Sequence, residues 1–405
     1  MRLALVGDAY PPLRTSGAVQ MRDLAEEFVR LGHEITVIVP SAGVKNSWMI
    51  EAVNGVQVLR LSALRTKDIG YVRRTLAELL MPFAMLRNIR KSPLGSVKWD
   101  AVVWYSPSIF FGPLVAAFKR ATNCRSYLVL RDIFPEWAVD MKLMRRGLAY
   151  RFFKLIERYQ YSVADTIGVQ SAPNLGYVAK LVKGSGTRLE VLHNWLAQSP
   201  NVGASISVAA TTLSGRTILV YAGNMGVAQG MDLFLSLAER LRDHRNVGFL
   251  FVGRGSEVPR LRANAKQRSL DNVVFNDEIE PSEIPGLLQQ CHIGLVALDP
   301  RHKTHNIPGK FLAYIQAGLP VLARLNVGND LADLIYKESV GRAYVGESLD
   351  AFAQCAQELV ENNAERALIS ARARALATRL FSPTSAANKI LSAVSCGSPL
   401  IDELR

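Results

Sequence analysis

Residues 301–323 read RHKTHNIPGKFLAYIQAGLPVLA, and the rest of the chain is organised around them. Five cationic or titratable side chains, Arg301, His302, Lys303, His305 and Lys310, fall within ten residues, after which Phe311, Leu312, Tyr314 and Ile315 recur at helical spacing. Asn306 is a good N-cap and Pro308 suits a first turn, so a helix is predicted to begin near Ile307 or Pro308 and to end at Gly318, ahead of Pro320. A helix start offers backbone N–H groups and a partial positive charge to an anion, and Gly309 lets that anion come close to the backbone. The stretch therefore reads as a phosphate site. The plain alternative is a solvated basic loop ahead of a buried helix.

Upstream, an apolar strand over 293–298 leads straight into this stretch, and before it strands and helices alternate. The series is strand 218–221, glycine turn Gly223-Asn224-Met225-Gly226, helix 231–242, strand 247–252, turn Gly253-Arg254-Gly255, helix 257–267, strand 273–275 and helix 282–290. Such alternation predicts a parallel sheet that binds ligands at the carboxyl ends of its strands, which gathers Gly223, Asn224, Gly226, Gln229, Arg254 and residues 301–310 at one edge.

The same pattern opens the chain. A strand over 3–6 is followed by the loop AYPPLRTSGAVQ with Arg14, Ser16 and Gly17, a helix over 18–31 and a strand over 35–39. A later strand, 127–130, ends in RDIFPEW, which puts Arg131, Asp132 and Glu136 at that domain's ligand edge; an internal interaction fixing the loop is the alternative. Strands at 165–170 and 188–192 follow. No G-x-G-x-x-G occurs, so a dinucleotide fingerprint is absent. The expected fold is α/β: two Rossmann-like domains, 1–197 and 216–381, facing across a cleft and joined by a small-residue linker, 198–215. Helices over 349–379 and 383–394 finish the chain, and the segment 382–405 is expected to return to the first domain.

Composition sets the outer bounds. The 405 residues are 49% hydrophobic and 20% charged, as in a soluble globular protein of two domains. Four cysteines are scattered without a C-x-x-C pair, which suits a reducing compartment. The first strand is too short for a signal peptide. The uncharged run 101–118 contains Ser106, Pro107, Ser108, Gly112 and Pro113, and is read as a strand, a turn and a helix rather than a membrane span. Net charge is +13, and residues 1–200 carry most of it, with 27 Lys and Arg against 15 Asp and Glu. The first half faces something anionic.

Between 60 and 98 there are nine Lys and Arg and two acids, and Ile69, Val72, Leu76, Leu79, Phe83 and Leu86 recur every three or four residues. That is the pattern of a basic amphipathic helix lying on an anionic membrane surface, assigned to residues 66–92; an ordinary surface helix is the alternative. A second basic stretch, KLMRRGLAYRFFKLIERYQY from Lys142, supports the membrane reading. Nucleic acid is not expected, because the basic faces form no recognisable module.

The segments PPLRTSGAVQ, RDIFPEWAVDM, HNW, YAGNMGVAQGMDLFL and NIPGKFLAYIQAGLPVLA together resemble the GT-B glycosyltransferases of the large retaining family four, most closely bacterial L-fucosamine transferases of O-antigen and capsule synthesis. The resemblance implies transfer of a sugar from a nucleotide-diphosphate donor, UDP-linked, with retained anomeric configuration. It implies no metal and no cofactor; consistent with this, no D-x-D pair occurs in the chain. The donor would lie on the second domain, with its base near Asn276 to Ile279 and its diphosphate held by Lys310, Ile307 to Gly309, Gly226 and Arg254. His305 would stand near the donor sugar. The family pattern has two glutamates eight apart where this chain has His305 and Ala313, and an Arg and a Lys where it has Asn224 and Gln229; Gln316 is the substitute expected for ribose. The acceptor would be a polyprenyl-diphosphate-linked saccharide on the first domain, met by Arg14, Ser16, Gly17, Arg131 and Glu136, with Asp132 guiding or accepting its proton. The protein is then expected in the cytoplasm, peripheral on the inner face of the membrane. Two other classes share the architecture: a UDP-sugar 2-epimerase, and a non-catalytic membrane adaptor that has kept the fold.

Overall fold

The computed structural model describes residues 1–13, 15–66, 69–297, 307–326 and 328–395. They form two compact units, Met1–Trp195 together with the segment from Pro383, and Leu196–Ser382.

In the first unit, β1 (Arg2–Val6), β2 (Glu34–Ser41), β3 (Trp48–Val53), β4 (Val56–Ser62), β5 (Ala101–Tyr105), β6 (Arg125–Leu130), β7 (Thr166–Val169) and β8 (Arg188–Val191) make one sheet in the order β3-β4-β2-β1-β5-β6-β7-β8. Only β3 runs antiparallel, as half of a hairpin with β4. Its Asn54-Gly55 turn has both φ angles positive, which is the geometry a two-residue hairpin requires. The sequence reading assigned no element there. Successive residues of β1 feed opposite cores: Leu3 and Leu5 pack on one face of the sheet, Ala4 and Val6 on the other. The first face is covered by α1 (Ser16–Arg30) and by the closing helix Pro383–Ser395, whose Ala386, Ala387, Ile390 and Val394 join the same core as Leu24 and Phe28. The expected return of the chain to the first domain is thus observed. The other face carries α2 (Tyr71–Arg90), α3 (Gly112–Thr122), α4 (Glu136–Asp140), α5 (Leu148–Val163) and α6 (Ala172–Leu181). The run 101–118 is β5, a turn and most of α3, and among the described residues no helix is long and apolar enough to cross a membrane.

In the second unit all six strands are parallel: β9 (Thr217–Ala222), β10 (Val247–Val252), β11 (Val273–Asn276), β12 (Ile293–Ala297), β13 (Val321–Arg324) and β14 (Gly341–Tyr344), in the order β11-β10-β9-β12-β13-β14. The chain winds outward one way from β9 and then the other way from β12. The crevice between the carboxyl ends of these two neighbours is therefore where such a sheet takes a ligand. Helices α7 (Asp232–Arg240), α8 (Val258–Gln267) and α12 (Leu349–Glu361) cover one face, and α9 (Ile284–Leu288), α10 (Gly309–Ala317) and α11 (Asp330–Glu338) the other. The single helix expected over 349–379 is broken at Asn362, whose side chain caps α13 (Asn363–Phe381) by accepting from Glu365 N at 2.9 Å. Residues 198–215 lie on this unit: Gln290 Oε1 accepts from Val208 N, Glu283 Oε1 from Ser205 N, and Gly286 leaves room for Gly203 O.

Candidate functional site

The β9/β12 crevice is built by three interlocking pieces. The turn after β9 and the turn after β10 are zipped together, with Gly223 N donating to Val252 O and Met225 N to Arg254 O at 2.7 Å. This pairing demands glycine at 253 and 255. Both have φ near +150°, and a Cβ there would stand about 2 Å from Gly223 O and Met225 O. The third piece is α10. It begins at Gly309 with Pro308 rather than Asn306 at the N-cap position, later than the expected start at Ile307 or Pro308, and it ends on Gly318 in the left-handed conformation, as the sequence predicts. One hydrogen bond fixes its register on the sheet: Tyr314 Oη accepts from Ala222 N at 3.1 Å, and Gly294 of β12 leaves the space that the Tyr314 ring fills.

That register carries Lys310 into the crevice. Its Nζ sits 4.7 Å from the centroid of the Tyr221 ring, and its Cε is 3.7 Å from where a Gly223 side chain would begin. Tyr221 is itself held by its hydroxyl, which donates to Asn224 O at 2.8 Å. Among the described residues no carboxylate pairs with Lys310, and burial pulls its ammonium down from 10.5 to about 8. A half-buried cation that, among the described residues, meets an aromatic face and no carboxylate is poised for an oxyanion, which would stabilise its charge.

The other predicted contacts of this unit divide. Gly223 stands beside Lys310, and Pro308 and Gly309 lead into Lys310 at the start of α10; Gly226 lies in the turn after β9. Asn224 and Gln229 are turned on each other, 3.3 Å apart, and the Gly226 N–H donates to Gln229 Oε1 at 3.0 Å, so this trio is engaged in holding the turn. Arg254 is exposed and ion-paired with Glu278 at the end of β11. Ile307 is buried in the core under the sheet and Ile279 packs partly against it, so their side chains support the site from below. Gln316 Nε2 donates to Leu196 O at 3.2 Å, which ties α10 to the start of the unit. His305 and Asn306 lie outside the described residues.

Sequence reasoning missed Tyr221, Tyr314 and the role of Asn276, which belongs to the stretch expected near the base. Asn276 Nδ2 is buried without a hydrogen-bond partner at the carboxyl end of β11. Tyr221 carried a usable signal: it is the aromatic residue next to last in a strand that ends on a glycine turn.

At the carboxyl edge of the first unit, Arg131 and Asp132 follow β6. The Arg131 guanidinium lies 5.8 Å from the Tyr105 ring, with Nη1 buried and without a hydrogen-bond partner. Burial lowers its pKa and pushes the Tyr105 phenol up to about 12. Tyr105 donates to Gln20 Oε1, while Trp195 Nε1 donates to Gln20 O at 2.9 Å, so the cation rests on a fixed platform. Asp132 reaches solvent, and its carboxyl is raised by desolvation and further by Asp8, against the opposing pull of Arg131. Asp8 is a further missed residue. It follows β1 as Asp132 follows β6, and the same argument would have chosen it. Ser16 and Gly17 open α1 behind its Thr15 cap, with Gly17 beside Tyr105. Glu136 accepts from Tyr150 Oη at 2.7 Å and pairs with Lys154 at 3.2 Å, so it helps to fix its loop, the alternative weighed for this stretch. Arg14 lies outside the described residues.

The first unit also bears apolar side chains on its surface. In α2 the buried positions are Ala77, Met81, Met85 and Ile89, whereas Val72, Leu76, Leu80 and Phe83 point outward, Val72 with 76% of its surface exposed.

Comparison with known proteins agrees with this architecture. Residues 16–195 match a family described as glycosyl transferase 4-like domain, and residues 216–362 match glycosyl transferases group 1. The chain is similar to WcaI of Escherichia coli K12, named for colanic acid biosynthesis glycosyl transfer, with 23% identity over 72% of this chain and 76% of the relative. It is also similar to WbjE of Pseudomonas aeruginosa, named a glycosyltransferase, with 22% identity over 55% of this chain and 56% of the relative. Among solved structures, WaaG, a glycosyltransferase involved in lipopolysaccharide biosynthesis, superimposes with a TM-score of 0.61 at 16% identity, over 98% of this chain and all of WaaG. Anabaena HepE in complex with UDP gives 0.65 at 12% identity, over 98% of this chain and all of HepE.

Proposed function

The chain is a glycosyltransferase of the GT-B, family-four type, and from that premise we propose that it moves an N-acetylated amino sugar from a UDP-linked donor to a polyprenyl-diphosphate-linked saccharide, with retention and without a metal ion, in bacterial surface polysaccharide synthesis. The observation that carries this reading is Lys310, a partly desolvated ammonium at the switch point of the second unit that pairs with no carboxylate among the described residues. A nucleoside diphosphate brought there meets the Lys310 cation and the start of α10 together, and both oppose the negative charge that grows on the leaving diphosphate. Asn276, with its buried and unpartnered amide, is the candidate for the nucleotide base. This reading is supported by the UDP named with HepE and by the polysaccharide pathways named with WcaI and WaaG.

On the first unit, Arg131 would receive the acceptor's anionic group while Asp132 orients the attacking hydroxyl. The acceptor's lipid carrier would place the enzyme at an anionic bilayer, which suits the outward apolar residues of α2 with Arg73, Arg74, Arg87 and Arg90 among them. The test is a screen of UDP-sugars by calorimetry, followed by turnover with polyprenyl-linked acceptors and determination of the anomeric configuration of the product. Binding of no UDP-sugar would overturn the reading. Conversion of a UDP-sugar without any acceptor would assign the chain to the epimerases instead.

A further inference from the structure

Helix α5 has two faces with different business. Its outward side chains Leu148, Phe152, Leu155 and Tyr159 follow one another at intervals of four, three and four residues, so they form a single stripe, and Leu148 and Leu155 are 84% and 65% exposed. Met141 and Leu143 extend this apolar surface beyond the helix. Residues 141–159 hold six Lys and Arg against one Glu. A soluble surface seldom leaves so regular an apolar stripe uncovered, and cations around it fit an anionic bilayer. Both α2 and α5 pack against α3 on the same face of the sheet, which makes the stripe continuous in layer with the outward face of α2.

The inward face of α5 holds the loop that carries Asp132. The Phe153 ring meets Phe134 edge-on, with centroids 5.0 Å apart, and Phe134 lies 6.0 Å from Trp137. Glu136 is gripped from α5 by Tyr150 and by Lys154, and Lys154 is in turn paired with the fully buried Glu157 and lies over the Tyr177 ring at 4.7 Å. Residues 133–137 therefore take much of their support from the helix whose other side is uncovered.

We propose that the outward face of α5 is a second bilayer contact, and that the Lys154–Glu136 link on its inward face carries that contact to the loop bearing Asp132. Lys154 is then a positioning residue, and membrane docking sets the acceptor loop in its working geometry. This rests on the membrane reading above, and the experiment separates the two.

The full chain is followed by hydrogen exchange with vesicles of phosphatidylglycerol and phosphatidylethanolamine, with phosphatidylcholine vesicles as the neutral control. On anionic vesicles, exchange is expected to slow about fivefold or more both in 148–159 and in 131–140. Lys154→Met and, independently, Glu136→Ala are expected to keep the slowing in 148–159 and lose it in 131–140, while Lys154→Arg retains it in both segments. Glu136→Ala leaves the Lys154–Glu157 pair intact and guards against misfolding of the Lys154 variant. Loop protection that persists in both variants overturns the link. Failure of the wild-type chain to float with anionic vesicles overturns the membrane reading itself, and protection of 148–159 that instead follows protein concentration assigns the stripe to a second copy of the chain.

Discussion

Lys310 Nζ stands 4.7 Å from the centroid of the Tyr221 ring, so the first turn of α10 and the end of β9 share one partly desolvated cation. The hydrogen bond from Ala222 N to Tyr314 Oη fixes the helix at the height that makes this possible.

Lys310→Met should stabilise the ligand-free protein. The folded-state pKa of Lys310 lies near 8, below its ordinary 10.5. Between these values the unfolded chain holds a proton that the folded chain has released, so this group's contribution to stability rises with pH across the window. Its cost is greatest below pH 8. Methionine has no charge to desolvate, and a gain of about 1–2 kcal/mol at pH 7 is expected, shrinking towards zero above pH 10.5. Chemical denaturation of both proteins at pH 7 and pH 10.5 measures it; a loss of stability at pH 7 would refute the account of Lys310 as strained by burial.

Two glycines of the crevice should behave in opposite ways. A Cβ at Gly255 would lie 2.2 Å from Met225 O, and its φ of +151° disfavours any other residue, so Gly255→Ala should cost at least about 3 kcal/mol and lower the thermal midpoint. At Gly309 nothing lies within 4 Å of an added Cβ. Gly309→Ala should leave folding intact and weaken only nucleotide binding, by crowding the anion. Equal midpoints for the two variants would contradict the assignment.

In the proposed mechanism Asp132 acts as a carboxylate towards the acceptor hydroxyl. Desolvation and Asp8 raise its pKa, so turnover should fall as pH drops through that raised value while donor binding is retained. Asp132→Asn should lose most turnover, keep UDP affinity, and lack this acid limb. A wild-type rate in Asp132→Asn, measured with a lipid-linked acceptor, would remove the residue from the mechanism.

The outward face of α2 should govern membrane binding in two separable ways. Replacing Arg73, Arg74, Arg87 and Arg90 by Gln should weaken flotation with anionic vesicles by roughly 1 kcal/mol for each charge near the surface, and most at low salt. Replacing Leu76, Leu80 and Phe83 by Ser should weaken it with little change in salt dependence. Unchanged flotation in both would exclude α2 as a contact.

The parallel sheets, the glycine turns and the helix from Gly309 to Gly318 were legible because buried strands are continuous apolar runs and glycine and proline punctuate them. What escaped has physical reasons. The apolar repeat of α2 was visible, but periodicity alone does not tell which face the core takes, and here Ala77, Met81 and Met85 face inward while Val72, Leu76 and Phe83 face out. Glu136 had the right position for a ligand contact, and only tertiary structure revealed Lys154 and Tyr150 as its partners. Gln316 likewise proved to donate to Leu196 O. The hairpin at Asn54-Gly55 had a strong local signal that went unread, as did Asp8 after β1.

The central claim is that Lys310 seats the diphosphate of the nucleotide, and calorimetric titration of UDP into the wild-type chain and Lys310→Met between pH 7 and pH 9.5 tests it most directly. The account predicts wild-type affinity that falls as Lys310 deprotonates above pH 8, and weak binding by the variant that stays flat across the same range. Wild-type affinity for UDP in Lys310→Met, with the same pH dependence, would contradict it.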